Sequence, residues 1–130
     1  MKYVYPAIFA QEDGLYSIRF PDIESCYTSA ETLQEGVDMA EDVLCMMLYD
    51  MEERKAQIPT PSNISDLVCA DNEFATLISC DTLEYRKFYE KKAVKKTLSI
   101  PAWLNTMAER ENINFSATLQ TALKEALNLT

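Results

Sequence analysis

The side chains best suited to binding chemistry stand on alternate positions of a short basic segment, Val94 to Ile100. In an extended chain, Lys95, Thr97 and Ser99 lie on one face, and the opposite face is apolar except at Lys96. An ammonium group and two hydroxyls can donate hydrogen bonds to anionic or polar partners. The alternation predicts a half-buried strand with one polar, basic face.

A second candidate binding feature is the start of a helix near Asn114. The Asn114 side chain can accept a hydrogen bond from a backbone N–H of the next turn, which makes it a suitable helix cap. The free N–H groups around Asn114, Phe115 and Ser116 would then lie at the positive end of the helix dipole. This arrangement predicts an anion site, and a phosphate group fits it.

Two short amphipathic helices are expected to position these groups. Pro101 suits the first turn of a helix, and apolar residues follow it at helical spacing: Trp103, Leu104, Met107 and Ala108. Residues 111–114 break the pattern, and a second apolar stripe follows: Leu119, Ala122, Leu123, Ala126 and Leu127. Residues 93–127 therefore predict the order strand, helix, helix.

A single copy of this unit leaves the backbone N–H and C=O groups of its strand unpaired and cannot complete a hydrophobic core. It therefore needs a second copy related by a two-fold axis. The order and the residues resemble the ribbon-helix-helix fold of Arc/MetJ-type repressors. The resemblance implies a homodimer whose paired strands enter the major groove of DNA, with Lys95, Thr97 and Ser99 facing base edges. An ordinary helical hairpin beside a solvated basic strand is the alternative.

Cysteine usage argues against a metal site. Cys26, Cys45, Cys69 and Cys80 form no C-x-x-C pair, and the sequence has no histidine. The sequence therefore lacks the side chains that usually form a zinc site or a Cys–His catalytic pair. We expect buried free thiols in preference to a disulfide, and no metal or cofactor.

Charge divides unevenly along the 130 residues. Residues 1–84 contain 4 basic and 17 acidic side chains, a net charge of −13, whereas residues 85–130 contain 8 and 4, a net charge of +4. An acidic body favours basic partners, and a basic segment is attracted to phosphate. No apolar run approaches the roughly 20 residues of a membrane span, and no signal peptide is evident, so we expect a cytoplasmic protein.

The acidic part predicts a small α+β domain. Hydrophobic patterns indicate strands at 2–10 and 15–20, a short strand at 25–28, and a buried strand at 74–80. Thr32 and Glu35 have the spacing of a capping box ahead of a long helix that would cover the sheet. We therefore expect a β-β-β-α-β domain at 1–81, a connector at 82–92 and the dimerising unit at 93–130.

Several short motifs of the first domain occur together in a fixed order. They are Gly14-Leu15-Tyr16-Ser17-Ile18, Phe20-Pro21-Asp22-Ile23, Cys26, Glu31-Thr32-Leu33-Gln34-Glu35-Gly36 and Ile58-Pro59-Thr60-Pro61-Ser62. Together they resemble the HicB antitoxin family, in which a ribbon-helix-helix tail is one of the C-terminal modules. Gly36 departs from the family pattern, where Ala is common, and would cost about 1 kcal/mol in a helix unless close packing requires it.

The resemblance implies a partial ribonuclease-H-like domain that binds and blocks HicA, a small basic toxin that cleaves RNA. Acidic side chains would occupy the toxin's phosphate-binding surface, and Asp22, Glu24 and the carboxylates of the long helix are the candidates. We therefore expect a non-enzymatic antitoxin that also represses its own operon by binding operator DNA as a dimer, with a higher assembly when toxin is bound.

Two other functions fit parts of the sequence. A ribonuclease-H-like fold could use clustered carboxylates to hold two Mg²⁺ ions and act as a nuclease. Alternatively, the first domain could bind a small ligand and control a ribbon-helix-helix repressor. Against the second alternative, the sequence has no histidine for a nickel-type sensor and no glycine-rich phosphate loop.

Overall fold

The computed structural model describes residues 1–129 and has an α+β architecture. Its elements, in chain order, are β1 Lys2–Glu12, β2 Leu15–Arg19, β3 Tyr27–Ala30, α1 Leu33–Glu53, a 3-10 turn Ile64–Asp66, β4 Glu73–Asp81, α2 Thr82–Tyr89, α3 Ala102–Arg110 and α4 Phe115–Ala126. The order β-β-β-α-β expected for the first domain is confirmed.

The four strands form one antiparallel sheet in the order β3-β2-β1-β4. Asp13 and Gly14 connect β1 to β2 with φ angles of 50° and 78°, the left-handed values that a tight hairpin turn requires. Ser25 also has a positive φ, of 60°, which a strand cannot accommodate. For this reason β3 begins at Tyr27, two residues later than the sequence pattern predicted.

Helix α1 lies against one face of the sheet. Its start is fixed by Thr32, whose hydroxyl accepts a hydrogen bond from the Glu35 N–H at 3.1 Å. The buried side of the helix faces the inward side chains of the strands in a continuous core: Tyr5, Ala7, Phe9, Ile18, Phe20, Ile23, Cys26, Ala40, Leu44, Leu48, Ile78 and Cys80.

Gly36 sets how closely α1 approaches the sheet. A Cβ atom at this position would lie 3.2 Å from both Ile18 Cδ1 and Phe9 Cε2. The helix is therefore buried at Gly36, while the neighbouring apolar residues Leu33 and Val37 are exposed. Close packing thus explains the glycine.

The extended connection after α1 is held by Asp22, in the loop between β2 and β3, and by Tyr5 of β1. The Asp22 carboxylate accepts a hydrogen bond from the Ser62 N–H at 2.9 Å and another from the Ser62 hydroxyl. The Tyr5 hydroxyl donates to the carbonyl oxygen of Pro59. The Phe-Pro-Asp and Pro-x-Pro-Ser motifs therefore lie together because Asp22 of the first bonds Ser62 of the second.

The chain divides into two compact units, which are Met1–Lys92 and Ala93–Thr130. Helix α2 packs on α1 within the first unit, and the whole segment expected to be a connector, 82–92, belongs to that unit. With the boundary after Lys92, the net charges of the two parts differ from those calculated for 1–84 and 85–130. Residues 1–92 carry 8 basic and 18 acidic side chains, a net charge of −10, and residues 93–130 carry 4 and 3, a net charge of +1.

The second unit contains α3 and α4 but no strand among its described residues. Residues 94–100, predicted to be a strand, are exposed and unpaired in the single chain, as expected if the ladder partner is another chain. Apolar side chains of both helices are also exposed, including Trp103 at 65% and Leu127 at 66%. The two helices therefore do not form a closed core by themselves.

We predict that Gly36→Val destabilises the first unit. The added methyl groups would overlap Ile18 and Phe9, and overpacking of this kind typically costs about 1 to 3 kcal/mol. Gln34→Val, at an exposed position in the same turn, is the matched control for helix propensity. Urea denaturation should show a clearly lower free energy of unfolding for Gly36→Val; equal values for the two variants would contradict the close approach.

Candidate functional site

A cleft in the first unit lies between α1 and the junction of β4 with α2. Its volume is about 590 Å³, and its lining is dominated by acidic side chains: Asp38, Met39, Glu41, Asp42, Cys45, Asp81, Glu84 and Tyr85. Five of these eight residues are carboxylates, contributed by both walls. The cleft therefore presents a concentrated negative potential.

The carboxylates of the α1 wall are available to a partner. Asp38, Glu41 and Asp42 are exposed, and they share one side of the helix because they are spaced by three and four residues. They form no salt bridge with any residue in the range 1–129. Their charge is consequently not neutralised within the described chain.

The opposite wall is partly occupied by its own contacts. Asp81 caps α2 by accepting a hydrogen bond from the Leu83 N–H at 3.0 Å. Glu84 pairs with Lys87 at 3.0 Å, one turn further along α2. Tyr85 contributes an aromatic surface and packs against Tyr49 of α1, with the ring centroids 5.2 Å apart.

Glu52 connects α1 to both α2 and β1. Its carboxylate accepts hydrogen bonds from the Tyr3 hydroxyl at 2.7 Å, the Thr82 hydroxyl at 2.9 Å and the Arg86 guanidinium at 3.2 Å. Burial raises the pKa of Glu52, but these three donors outweigh it and leave the pKa below its usual value. Burial, together with the bond to Glu52, raises the pKa of Tyr3 to about 12.

Arg86 extends this connection along α2. Its guanidinium pairs with Glu53 as well as Glu52 and lies over the Tyr49 ring, 4.6 Å from the centroid. The Tyr49 hydroxyl donates to Glu90 at 2.6 Å. These contacts hold α2 against the end of α1, so the spacing of the cleft walls is fixed by charged and aromatic side chains.

The structure separates the acidic residues proposed from sequence. Glu24 is exposed, and Asp22 is committed to Ser62; neither lines the cleft. Of the helix carboxylates, only Asp38, Glu41 and Asp42 line the cleft. Asp81, Glu84 and Tyr85, which sequence reasoning missed, line it as well. An Asp directly before a helix start was the available signal for Asp81, but only the fold shows that it faces α1.

In the second unit, Lys95, Thr97 and Ser99 are all exposed. Asn114 caps α4 as predicted, and its side-chain oxygen accepts a hydrogen bond from the Ala117 N–H at 3.0 Å. The N–H groups of Phe115 and Ser116 come before the first intrahelical bonds of α4, and both residues are exposed. The two groups proposed to bind DNA therefore lie at the start of the unit and at the start of its last helix.

Within residues 1–129, no group of three or more His, Cys, Asp or Glu side chains is arranged to hold a metal ion. The described helices include none that is both long and apolar enough to cross a membrane.

Comparison with known proteins gives one consistent family. The model of the HicB-like antitoxin of bacterial toxin-antitoxin systems matches residues 5–122. Antitoxin HicB 2 of Photorhabdus laumondii subsp. laumondii is 34% identical over 58 residues, which is 45% of this chain and 42% of that protein. The match therefore spans less than half of the relative's length.

Solved structures resemble the chain over a greater length. A toxin-antitoxin complex from Streptococcus pneumoniae contains a chain with 29% identity and a TM-score of 0.63, covering 97% of this chain and 99% of that one. A chain of the HicA3 and HicB3 toxin-antitoxin complex is 15% identical with a TM-score of 0.52, covering 61% and 99%. The second likeness concerns the fold alone.

The contacts of Glu52 predict a specific pH dependence of stability. Its pKa is lowered in the folded protein, so its contribution is present above the ordinary value of 4.5 and is lost as the pH falls through the folded value. Glu52→Gln should cost about 1 to 3 kcal/mol at pH 7, and the difference from wild type should shrink as the pH falls below 4.5. Glu41→Gln, exposed on the same helix, should show neither effect in denaturation experiments.

Proposed function

Because this chain belongs to the HicB-like antitoxin family of bacterial toxin-antitoxin systems, we propose that it neutralises a small, basic, RNA-cleaving toxin of the HicA type and represses its own operon. The family match over residues 5–122 carries the proposal. The full-length likeness to a chain of a solved toxin-antitoxin complex supports it. In this proposal the chain acts by binding and has no catalytic role.

The first unit is the proposed toxin-binding part. A protein that cleaves RNA must present cations to phosphate groups, and a negatively charged surface can occupy those cations in place of the substrate. The first unit has a net charge of −10, and its α1 wall contributes three exposed carboxylates without internal partners. We place the toxin's basic surface against this cleft, with Asp38, Glu41 and Asp42 as the main contacts.

The second unit is the proposed DNA-binding part. Two copies would pair residues 94–100 as antiparallel strands, which satisfies their backbone groups and covers the exposed apolar side chains of α3 and α4. Lys95, Thr97 and Ser99 would then face base edges, and the start of α4 would bind a phosphate. With a net charge of only +1, the unit would depend on placement and on dimeric binding more than on bulk charge.

The nuclease alternative lacks the group of metal-binding carboxylates that it would need within residues 1–129. Two-metal cleavage requires several carboxylates at one point, and the carboxylates of residues 1–129 are not grouped in that way. The cleft instead spreads its charge along a helix face. This distribution suits an extended basic partner surface better than a pair of metal ions.

The toxin proposal predicts a loss of affinity when the α1 wall is neutralised. The triple variant Asp38→Asn, Glu41→Gln, Asp42→Asn should raise the Kd for the toxin at least tenfold because three close charge contacts are lost. A matched triple, Glu12→Gln, Asp66→Asn, Asp71→Asn, makes the same charge change at exposed positions away from the cleft. Titration calorimetry with purified toxin compares them.

An equal loss of affinity in both triple variants would mean that only net charge matters, and the cleft would not be the binding site. Glu24→Gln tests the earlier sequence-based candidate in the same assay. A larger effect from this single change than from the α1 triple would move the interface to the loop that precedes β3.

The DNA proposal predicts a division of labour between the two units. Lys95→Ala should weaken binding to operator DNA by tenfold or more, since a good base contact contributes about 1 to 3 kcal/mol, and it should leave the Kd for the toxin unchanged. Lys124→Ala, which removes the same charge near the end of α4, is the control. Electrophoretic mobility shifts measure DNA binding, and a variant that loses both activities together would contradict the division.

A further inference from the structure

Strand β4 forms one edge of the sheet and has a neighbouring strand, β1, on one side only. It is nine residues long, whereas β3, at the opposite edge, has four. Its pairing with β1 runs without a bulge from Glu73 to Asp81, and residues 74–80 include no charged side chain and no proline. The edge therefore lacks the features that usually prevent a sheet from pairing with another chain: a short strand, a lysine, a proline or a bulge.

Hydrogen bonds at the two ends of β1 fix which backbone groups of β4 point outward. The Gln11 N–H donates to the carbonyl oxygen of Asn72 at 3.0 Å, and the Thr82 N–H donates to that of Met1 at 3.0 Å. Because the backbone groups of a strand alternate between its two sides, the odd-numbered residues of β1 bond to β4, and the register pairs them with even-numbered residues of β4. The N–H and C=O groups that point away from β1 are therefore those of Ala75, Leu77 and Ser79.

These outward groups are free, and apolar side chains flank them. Within residues 1–129, no backbone hydrogen bond outside the β1–β4 pairing involves Ala75, Leu77 or Ser79. Leu77 is 54% exposed on the sheet face away from α1, since its neighbour Ile78 faces the core. Phe74 is 42% exposed on the other face. The edge thus offers both backbone hydrogen bonds and apolar contact to another strand.

We propose that β4 pairs antiparallel with β4 of a second copy of this chain, across a two-fold axis at Leu77. In this register Leu77 lies opposite its own copy, and Ala75 lies opposite Ser79 of the second copy. All three outward residues of each strand then exchange N–H···O=C bonds, three donated by each copy and six in total. Two sheets of four strands become one sheet of eight.

The charge of the edge favours a second copy over a basic partner. Residues 74–80 offer no carboxylate to a basic strand, whereas their outward groups are complementary to themselves under a two-fold axis. Each first unit has a net charge of −10, so repulsion between two copies opposes the pairing, and screening by salt should strengthen it. A strand added by a basic protein would show the opposite salt dependence.

Amide hydrogen exchange followed by NMR on the full-length chain tests the pairing residue by residue. In the wild type, the amides of Ala75, Leu77 and Ser79 should exchange nearly as slowly as those of Thr76 and Ile78, which bond to β1. In a free edge the outward amides would exchange much faster than these two neighbours. Raising the salt concentration should slow the exchange of the outward amides further.

Leu77→Glu places two like charges opposite each other at the axis, and it should speed the exchange of the outward amides by at least about tenfold. Val68→Glu makes the same charge change in the connection before β4, at a side chain that is 90% exposed, and should exchange like wild type. Unchanged protection of Thr76 and Ile78 shows that the sheet is intact. If Leu77→Glu loosens the sheet, Ser79→Pro replaces it, because this change removes an outward N–H without removing a bond to β1.

Two results would overturn the proposal. One is rapid exchange of the outward amides in the wild type while Thr76 and Ile78 stay protected, which would show a free edge. The other is protection of the outward amides that appears only when toxin is added and weakens with salt, which would assign the edge to the toxin. The measurement on the wild type decides between these results and the pairing even if a variant folds poorly.

Discussion

The three hydrogen bonds to Glu52 are the contact on which the geometry of the first unit depends. Glu52 lies near the end of α1, and its donors come from β1 and α2: Tyr3, Thr82 and Arg86. One carboxylate therefore joins the covering helix to the central strand and to the helix that follows the sheet. At the other end of α1, Gly36 allows close contact with Phe9 and Ile18. Fixed at both ends, α1 presents its outer carboxylates along a defined line.

The acidic side chains fall into two groups, those with partners inside the first unit and those whose charge is free to contact another molecule. The acidic side chains that maintain the fold have internal partners: Glu52 with Arg86, Glu73 with Arg19, Asp22 with Ser62, and Asp81 with the start of α2. Asp38, Glu41 and Asp42 have none among the residues described. Net charge is therefore a weak guide to a binding surface, and the unpartnered carboxylates are the better one.

The sequence predicted the first unit well where local chemistry determines the structure. The Thr32 cap and the four strands are encoded in short patterns, and the structure has them, as it has the Asn114 cap in the second unit. What depends on tertiary packing could not be predicted. The place of α2 against α1, the close approach at Gly36 and the grouping of Asp81 and Glu84 with the α1 carboxylates require the complete sheet. The strand predicted at 94–100 is a different case, because the strand that would pair with it belongs to a second chain.

The most direct test of the proposed toxin surface is an NMR titration of the isotopically labelled chain with unlabelled toxin. The proposal predicts that the largest backbone amide shift changes occur at residues 38–45 and 81–85, with little change at 94–100. A subsequent titration with operator DNA should shift 94–100 and the start of α4 instead. Toxin-induced changes concentrated at Asp22–Glu24 or in the second unit would contradict the assignment of the acidic cleft to the toxin.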